Sequence, residues 1–227
     1  MTDGKDQMAG LAEALTADLE PVRVRSGVRQ AGLLALLCGL QLAGFAVLMR
    51  ERPFAEALAL DPGAGAAKVG ALGLGALLMT AFALQSLVPG RSVRRAGVWA
   101  AGGVLLGAAL IGLDWAAVQP GMAGKPVMDG QAGSLFAPRD GVRCLVSSLT
   151  LALPLGLALT LMARAGAPPR PVLTGTLIGA AAGLWGGFVY AAQCPYVTAP
   201  YVLAWYGAAV VVGTAIGRWA LAPRLRW

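Results

Sequence analysis

Residues 171–192, PVLTGTLIGAAAGLWGGFVYAA, contain no charged side chain. Their length matches the roughly 20 helical residues that cross the hydrocarbon layer of a membrane. Glycines recur at four-residue spacing, at Gly179, Gly183 and Gly187. Two more glycines with the same spacing, Gly213 and Gly217, lie further along the chain. Small residues at this spacing let membrane helices approach closely. The stretch therefore predicts a membrane-spanning helix in a closely packed bundle.

The composition of the whole chain supports a membrane protein. Of its 227 residues, 57% are apolar and 13% are charged, whereas soluble domains are about 25% charged. We predict an all-α integral membrane protein built as a six-transmembrane-helix bundle, because a β-barrel would show shorter, alternating segments. The predicted spans are 31–49, 66–88, 96–118, 144–163, 171–192 and 199–221.

The chain divides into two predicted domains. Residues 31–227 form the six-helix transmembrane domain, and residues 1–30 form a short cytoplasmic N-terminal amphipathic segment that binds a partner. The first span is not a cleavable signal, because about 30 mostly polar residues precede it and no small-residue cleavage site follows.

The distribution of basic residues predicts the orientation. Of the 18 Lys and Arg residues, 12 lie in the N-terminal tail, in the connections 89–95 and 164–170 and near the C-terminus, and six lie on the opposite side. Basic residues accumulate on the cytoplasmic side, so we expect both termini to be cytoplasmic. The net charge of +7 reflects this bias. Because no basic run contains interleaved aromatics, we predict no direct nucleic acid binding.

Several classes of enzyme are excluded by absent residues. The chain has no histidine, which removes imidazole acid–base catalysis and imidazole metal ligands. It has neither a C-x-x-C pair nor a G-x-x-x-x-G-K-[ST] phosphate loop. We therefore predict that the protein is not an enzyme, has no catalytic residues and uses no cofactor.

Asp114 is the one carboxylate inside a predicted span. Charged groups within a membrane are costly and are functional candidates by default. Because Asp114 lies near a helix end, a structural pairing with Lys68 or Arg143 is the favoured role. Proton relay is the alternative, although no second carboxylate continues a path.

The three cysteines fall into two groups. Cys38 lies within the first span and is expected to act as a small apolar side chain. Cys144 opens the fourth span and Cys194 lies between the fifth and sixth, so the topology places both at the outer face, where disulfides persist. Pairing requires Cα atoms within about 7 Å. Two alternatives stay open: a pair, or two unrelated interfacial cysteines.

Four aromatic residues follow the second of these cysteines. Their predicted position at a membrane boundary is typical of an aromatic belt at the headgroup level. We expect them to anchor the protein there. They are Tyr196, Tyr201, Trp205 and Tyr206.

The N-terminal tail carries an apolar helical stripe formed by Met8, Leu11, Leu15 and Leu19. Its remaining surface has four acidic residues against one lysine between residues 5 and 20, so an anionic membrane surface would repel it. A helix of this length is marginal alone in water. We predict that the stripe binds a groove on a cytoplasmic partner; packing on the protein's own loops is the alternative.

Several motifs together resemble the NrsF-type membrane anti-sigma factors, the negative regulators of sigma F. They are LAEALTADLEPVR at 11–23, VRCLVSSLTLALPLG at 142–156, QCPYVTAPYVLAWYG at 193–207 and the ending RLRW. The resemblance implies a multi-pass protein of the bacterial inner membrane. It also implies that residues 5–22, approximately, sequester an extracytoplasmic-function (ECF) sigma factor in the cytoplasm.

The same resemblance implies that Cys144 and Cys194 are redox or stress-sensing thiols that control release of the sigma factor. The family often has His before the second cysteine, where this chain has Gln193. A soft metal bound at Cys144 and Cys194 stays possible, with few other donors nearby, and Arg143 is the nearest local cation. Two other functions compete: a small membrane transporter or channel, supported by Asp114, and a membrane thiol oxidoreductase.

Overall fold

The computed structural model describes residues 10, 14, 27–48, 62–87, 138–166, 168–194, 196 and 201–225. Within these residues the backbone is helical, with turns between helices and no strand. The described part of the chain holds five helices that are long and apolar enough to cross a membrane. They are α1 (Gly27–Leu48), α2 (Pro62–Ser86), α3 (Pro138–Arg164), α4 (Pro171–Ala191) and α5 (Val202–Leu225).

The predicted all-helical class is confirmed, and five of the six predicted spans correspond to these helices. Span 96–118 and Asp114 lie outside the described residues. The predicted start of α3 was wrong, because the helix begins at Pro138 and carries Asp140 in its first turn. Proline suits the first helical position and a carboxylate favours a helix N-terminus. Cys144 therefore lies in the second turn of α3 and does not open the helix.

Contacts divide the chain into two units, Met1–Leu33 and Leu34–Trp227. In the first unit the structure describes the start of α1 and two residues of the tail, Gly10 and Ala14, which are helical and exposed. The predicted partner-binding residues lie outside the described residues. They are Met8, Leu11, Leu15 and Leu19.

The second unit is arranged around α4. In the most apolar 18-residue stretch of α4, 78% of the residues are buried. In the corresponding stretches of α2, α3 and α5 the buried share is 22–28%. The surrounding helices turn rows of large apolar side chains outward, where lipid tails would cover them. In water so much exposed apolar surface would promote association. The exposed side chains include Leu74, Leu77, Leu153, Leu157, Leu161 and Val211.

Small residues join α4 to α5 along an antiparallel seam. A Cβ added at a glycine of α4 would meet the backbone carbonyl of the facing residue of α5. The predicted packing seam is confirmed for Gly179, Gly183, Gly213 and Gly217, because the two backbones approach too closely for side chains. The facing pairs are Gly175 with Gly217, Gly179 with Gly213, and Gly183 with Ala209.

Helices α2 and α3 both run antiparallel to α4, so both begin at the end of the bundle where α4 finishes. Near the start of each helix, one residue contacts Cys194, which follows α4. Further along each helix, another residue contacts α4 itself. We call this end of the second unit the thiol end, because it contains Cys144 and Cys194. The contacts are Lys68 with Cys194 and Gly75 with Leu184 for α2, and Cys144 with Cys194 and Gly156 with Ala182 for α3.

Candidate functional site

Cys144 and Cys194 are in direct contact at the thiol end. Their Sγ atoms are 3.3 Å apart, and the two residues are 3% and 2% exposed. Both are free cysteines, since a disulfide bond is only about 2.05 Å long. The structure brings the two cysteines together as free thiols, and a covalent pair stays a prediction. A sensing role for the pair stays a prediction.

The end of α4 determines where Cys194 lies. The helix ends at Ala191, and the N–H of Gln193 then donates to the carbonyl of Tyr190 at 2.9 Å. This turn takes the chain off the helix axis, and Cys194 follows it directly. Its position between α4 and α5 is the one that the sequence predicted.

Lys68 of α2 reaches the same connection. Its Nζ donates to the carbonyl oxygens of Cys194 at 2.7 Å and of Tyr196 at 3.1 Å, and the residue is only 4% exposed. The sequence predicted Lys68 as an outer charge and as a candidate partner of Asp114, and gave no connection between Lys68 and the cysteines. A lone cation in the otherwise uncharged segment 66–88 is the signal that could have identified it.

Two tyrosines line the site, one directly before α5 and one near its start. The hydroxyl of Tyr201 lies 3.0 Å from Cys144 Sγ, and the ring centroid of Tyr206 lies 6.0 Å from Lys68 Nζ. Tyr201 is 1% exposed and Tyr206 is 2% exposed. The predicted membrane-anchoring role is therefore wrong for these two residues, since a belt residue needs contact with headgroups. Their rings are used inside the bundle.

A local change of helical pitch brings both tyrosines to the site. Val202–Tyr206 is a π-helical turn, and the N–H of Gly207 donates to the carbonyl of Val202 five residues earlier. In an α-helix two residues five apart are separated by about 140° around the axis. A π turn hydrogen-bonds residues five apart and so reduces this angle. Tyr201 and Tyr206 therefore both face the thiol end. The ring of Tyr206 fits against Gly187 of α4, which has no side chain to obstruct it.

Tyr196 connects the α4–α5 segment to the start of α3. Its hydroxyl donates to Asp140 Oδ2 at 2.7 Å, and its ring stacks on Tyr201 with centroids 4.5 Å apart. Donation to the carboxylate, followed by partial burial, raises the pKa of Tyr196 to about 12. The segment that carries Cys194 is therefore held from both α2 and α3.

The surroundings of Cys194 favour its thiolate. The hydrogen bond from the Cys144 thiol and the charge of Lys68 lower the pKa of Cys194 to about 6, although burial acts in the opposite direction. A lowered pKa increases the fraction of thiolate at neutral pH, and the thiolate is the nucleophilic form of cysteine. Arg143, which the sequence offered as a local cation, is exposed.

The side chains near the two cysteines offer few further ligands for a metal ion. In the described ranges no group of three or more His, Cys, Asp or Glu side chains could hold a metal ion. Binding of a soft metal by Cys144 and Cys194 stays a prediction. The third cysteine, Cys38, lies in α1 and is partly buried against the apolar core, in the small apolar role expected of it.

Comparison with known proteins identifies the family. The family described as NrsF, negative regulator of sigma F, matches residues 15–227. The chain belongs to the NrsF family. It is also 33% identical to the anti-sigma-F factor NrsF of Caulobacter vibrioides (strain NA1000 / CB15N), over 96% of this chain and 98% of that protein. No solved structure matches the chain.

Membership of the NrsF family confirms the predicted resemblance and the predicted non-enzymatic role. A family of negative regulators of sigma F has an anti-sigma function, which requires a sigma factor as partner. This role is neither that of a transporter nor that of a thiol oxidoreductase. The match begins at Leu15, within the predicted partner-binding segment, and extends through both cysteines.

Proposed function

We propose that the protein is an anti-sigma factor of the bacterial inner membrane that sequesters an ECF sigma factor through its cytoplasmic N-terminal segment and releases it when the thiol pair reacts in the periplasm. The observation that carries the proposal is the family match across residues 15–227. The contact between Cys144 and Cys194 supports the thiol-linked part.

The proposed topology has six spans. Helices α2 and α3 both begin at the thiol end, so the chain between residues 87 and 138 has to return to that end. The predicted span 96–118, which lies outside the described residues, is the apolar segment between them that is long enough to cross a bilayer. With six spans both termini lie on one side, and the excess of basic residues there assigns that side to the cytoplasm.

The signal in this proposal is a covalent change at the thiol pair. A hydroperoxide in the periplasm would accept two electrons and two protons from Cys144 and Cys194, giving a disulfide, an alcohol and water. The sulfur atoms would then approach by about 1.3 Å, from 3.3 Å to the disulfide bond length. Because Tyr196 and Lys68 hold the same connection, this movement would strain its contacts with α2 and α3.

Gln41 provides a polar link from these helices to α1. Its Nε2 donates to the carbonyl of Leu151 in α3 at 2.7 Å, and its Oε1 accepts from Trp185 Nε1 in α4 at 2.9 Å. Because α1 continues the chain from the N-terminal segment, a change in packing of α3 and α4 would bias the position of α1. Such a bias requires two packings of different affinity for the sigma factor.

The partner-binding claim is tested in the tail. Leu15→Asp places a charge on the apolar stripe and should release the sigma factor, raising the output of a sigma-dependent reporter. Ala17→Asp is the matched control, because residue 17 lies about 200° around the helix from residue 15 and the added charge is the same. Unchanged output for Leu15→Asp, at equal membrane abundance, would contradict the proposal.

The thiol claim is tested in whole cells. Alkylation before and after peroxide stress, followed by a mobility shift, reports how many cysteines are free. We expect Cys144 and Cys194 to become protected together during stress, with reporter output rising in parallel. If both stay fully alkylated in stressed cells while the reporter is induced, the thiol switch is wrong and the tail claim is unaffected.

A further inference from the structure

We propose that Lys68 is a positioning residue that makes Cys194 the reactive cysteine of the pair. Cys144 is the adjacent hydrogen-bond donor. The regulatory meaning of this assignment depends on the function proposed above. The difference between the two sulfurs is a property of the site itself and is measured separately.

Lys68 binds the backbone of the connection that carries Cys194. An ammonium group carries three N–H donors, and two of them bind the carbonyl oxygens of Cys194 and Tyr196. Both carbonyls belong to the connection between α4 and α5 that carries Cys194. Lys68 therefore fixes the backbone of Cys194 from α2, a helix that contributes no sulfur to the pair.

Lys68 also brings a buried positive charge to the site. Lys68 is 4% exposed, and an ammonium buried in this way is costly unless a negative group lies nearby. The thiolate of Cys194 supplies that charge, and the Lys68 charge in turn lowers the pKa of Cys194. A neutral lysine beside a neutral thiol would lack this electrostatic attraction.

Either atom can donate in the contacts of Cys144 with Cys194 and with Tyr201, and one arrangement of protons satisfies both contacts with Cys194 as the thiolate. With the negative charge on Cys194, the Cys144 thiol donates to it across the 3.3 Å contact. Cys144 Sγ can then accept from the Tyr201 hydroxyl at 3.0 Å. The chain of donors from Tyr201 through Cys144 ends at Cys194, next to Lys68. Cys144 thus has a proton donor where Cys194 has a cation.

The groups that face Cys194 come from every packed element of the site. They are Lys68 of α2, Cys144 of α3, Tyr190 of α4, Tyr206 of α5, and Tyr196 and Tyr201 of the adjoining connection. Lys68 is the cation of this set. Its removal therefore has a different consequence from removal of any neutral neighbour.

The test is the pH dependence of iodoacetamide alkylation in the full-length protein with Cys38→Ala. The thiolate displaces iodide and forms an S–C bond, so the rate follows the thiolate fraction, and mass spectrometry resolves the two cysteine peptides. Dividing the rate at pH 7 by the high-pH plateau removes differences in access to the buried thiols. We expect this ratio to be near one for Cys194 and at least about tenfold smaller for Cys144.

Replacement of the lysine separates charge from structure. Lys68→Met should lower the ratio at Cys194 at least about tenfold and move its midpoint to higher pH, while Lys68→Arg, which keeps the charge and the donors, should stay within about threefold of the parent. Saturating diamide, which accepts two electrons and two protons from the thiols, should give the same disulfide yield in all three proteins. That yield reports whether the sulfurs remain adjacent.

Three results would overturn the assignment. They are a lower midpoint for Cys144 than for Cys194 in the parent protein, an unchanged ratio in Lys68→Met, and a ratio in Lys68→Arg that falls as far as in Lys68→Met. The first is measured without any change at Lys68, so a variant that fails to fold does not remove the test. None of these measurements involves the sigma factor, so their failure and failure of the proposed function are distinguishable.

Discussion

Gln41 shows how one polar side chain acts in an apolar bundle. Its amide joins three helices, with Nε2 bound to the Leu151 carbonyl and Oε1 bound to Trp185 Nε1. Trp185 is 7% exposed, so its N–H has little access to another partner. Because α1 contains few buried residues, a small number of specific contacts has to hold it in place.

We expect Gln41→Leu to lower the free energy of unfolding by about 1–2 kcal/mol. Hydrogen bonds between membrane helices contribute roughly 0.6–1.7 kcal/mol, and the unpaired indole N–H adds a penalty. Thermal unfolding in detergent, followed by circular dichroism, measures the change. The control is Leu40→Ala at a neighbouring side chain that is 63% exposed. Equal stability of Gln41→Leu and the parent would show that the link carries no energy.

The site was only partly predictable at the scale of residues. Cys144 and Cys194 were found because cysteines are rare in the chain and lie at one predicted membrane face. Lys68 and Tyr201 were not assigned, since their contacts join positions 126 and 57 residues apart in the chain. Such contacts depend on which side of each helix faces its neighbour, and an apolar sequence without a clear stripe does not specify that rotation.

Among the helices, the packing of α4 against α5 is the central feature. Backbone carbonyls of one helix lie where side chains of the other would have to be, as at Gly183, whose added Cβ would lie 2.9 Å from the carbonyl oxygen of Ala209. A backbone carbonyl cannot rotate away as a side chain can. The spacing of the glycines predicted this seam, because close approach between membrane helices requires small residues. The π turn of α5 was not predicted, since it depends on how the tyrosines fit the site.

We expect Gly179→Ala to reduce stability by about 1–3 kcal/mol, the usual cost of overpacking. Its new methyl group would meet the carbonyl of Gly213, and α5 would have to move away. Gly207→Ala is the matched control, because no atom lies within 4 Å of the added Cβ and alanine favours a helix by about 1 kcal/mol over glycine. Thermal unfolding in detergent compares the two.

The opposite order of stability, with Gly207→Ala less stable than Gly179→Ala, would contradict the seam. A second measurement follows from the position of Tyr201 next to α5. If α5 is displaced in Gly179→Ala, the contact between Tyr201 and Cys144 should loosen as well, and alkylation of Cys144 should become faster than in the Gly207→Ala control.

For the whole molecule, the direction of the described helices supports the proposed sixth span. Helices α2 and α3 are parallel and both start at the thiol end, so one passage through the membrane between them is the simplest connection. The apolar segment 96–118 suits that passage by length. The parity of the crossings then decides whether the N-terminal segment and the thiol pair lie on opposite sides, as a transmembrane sensor requires.

Three serines allow this topology to be measured with matched, nearly isosteric changes in a full-length chain whose native cysteines are replaced by serine. We expect Ser134→Cys to react with a membrane-impermeant maleimide in intact cells, and Ser26→Cys and Ser92→Cys to react only after permeabilisation. Labelling of Ser92→Cys and Ser134→Cys from the same side would remove the crossing at 96–118. Labelling of Ser26→Cys in intact cells would place the acidic tail outside, where no cytoplasmic sigma factor can reach it.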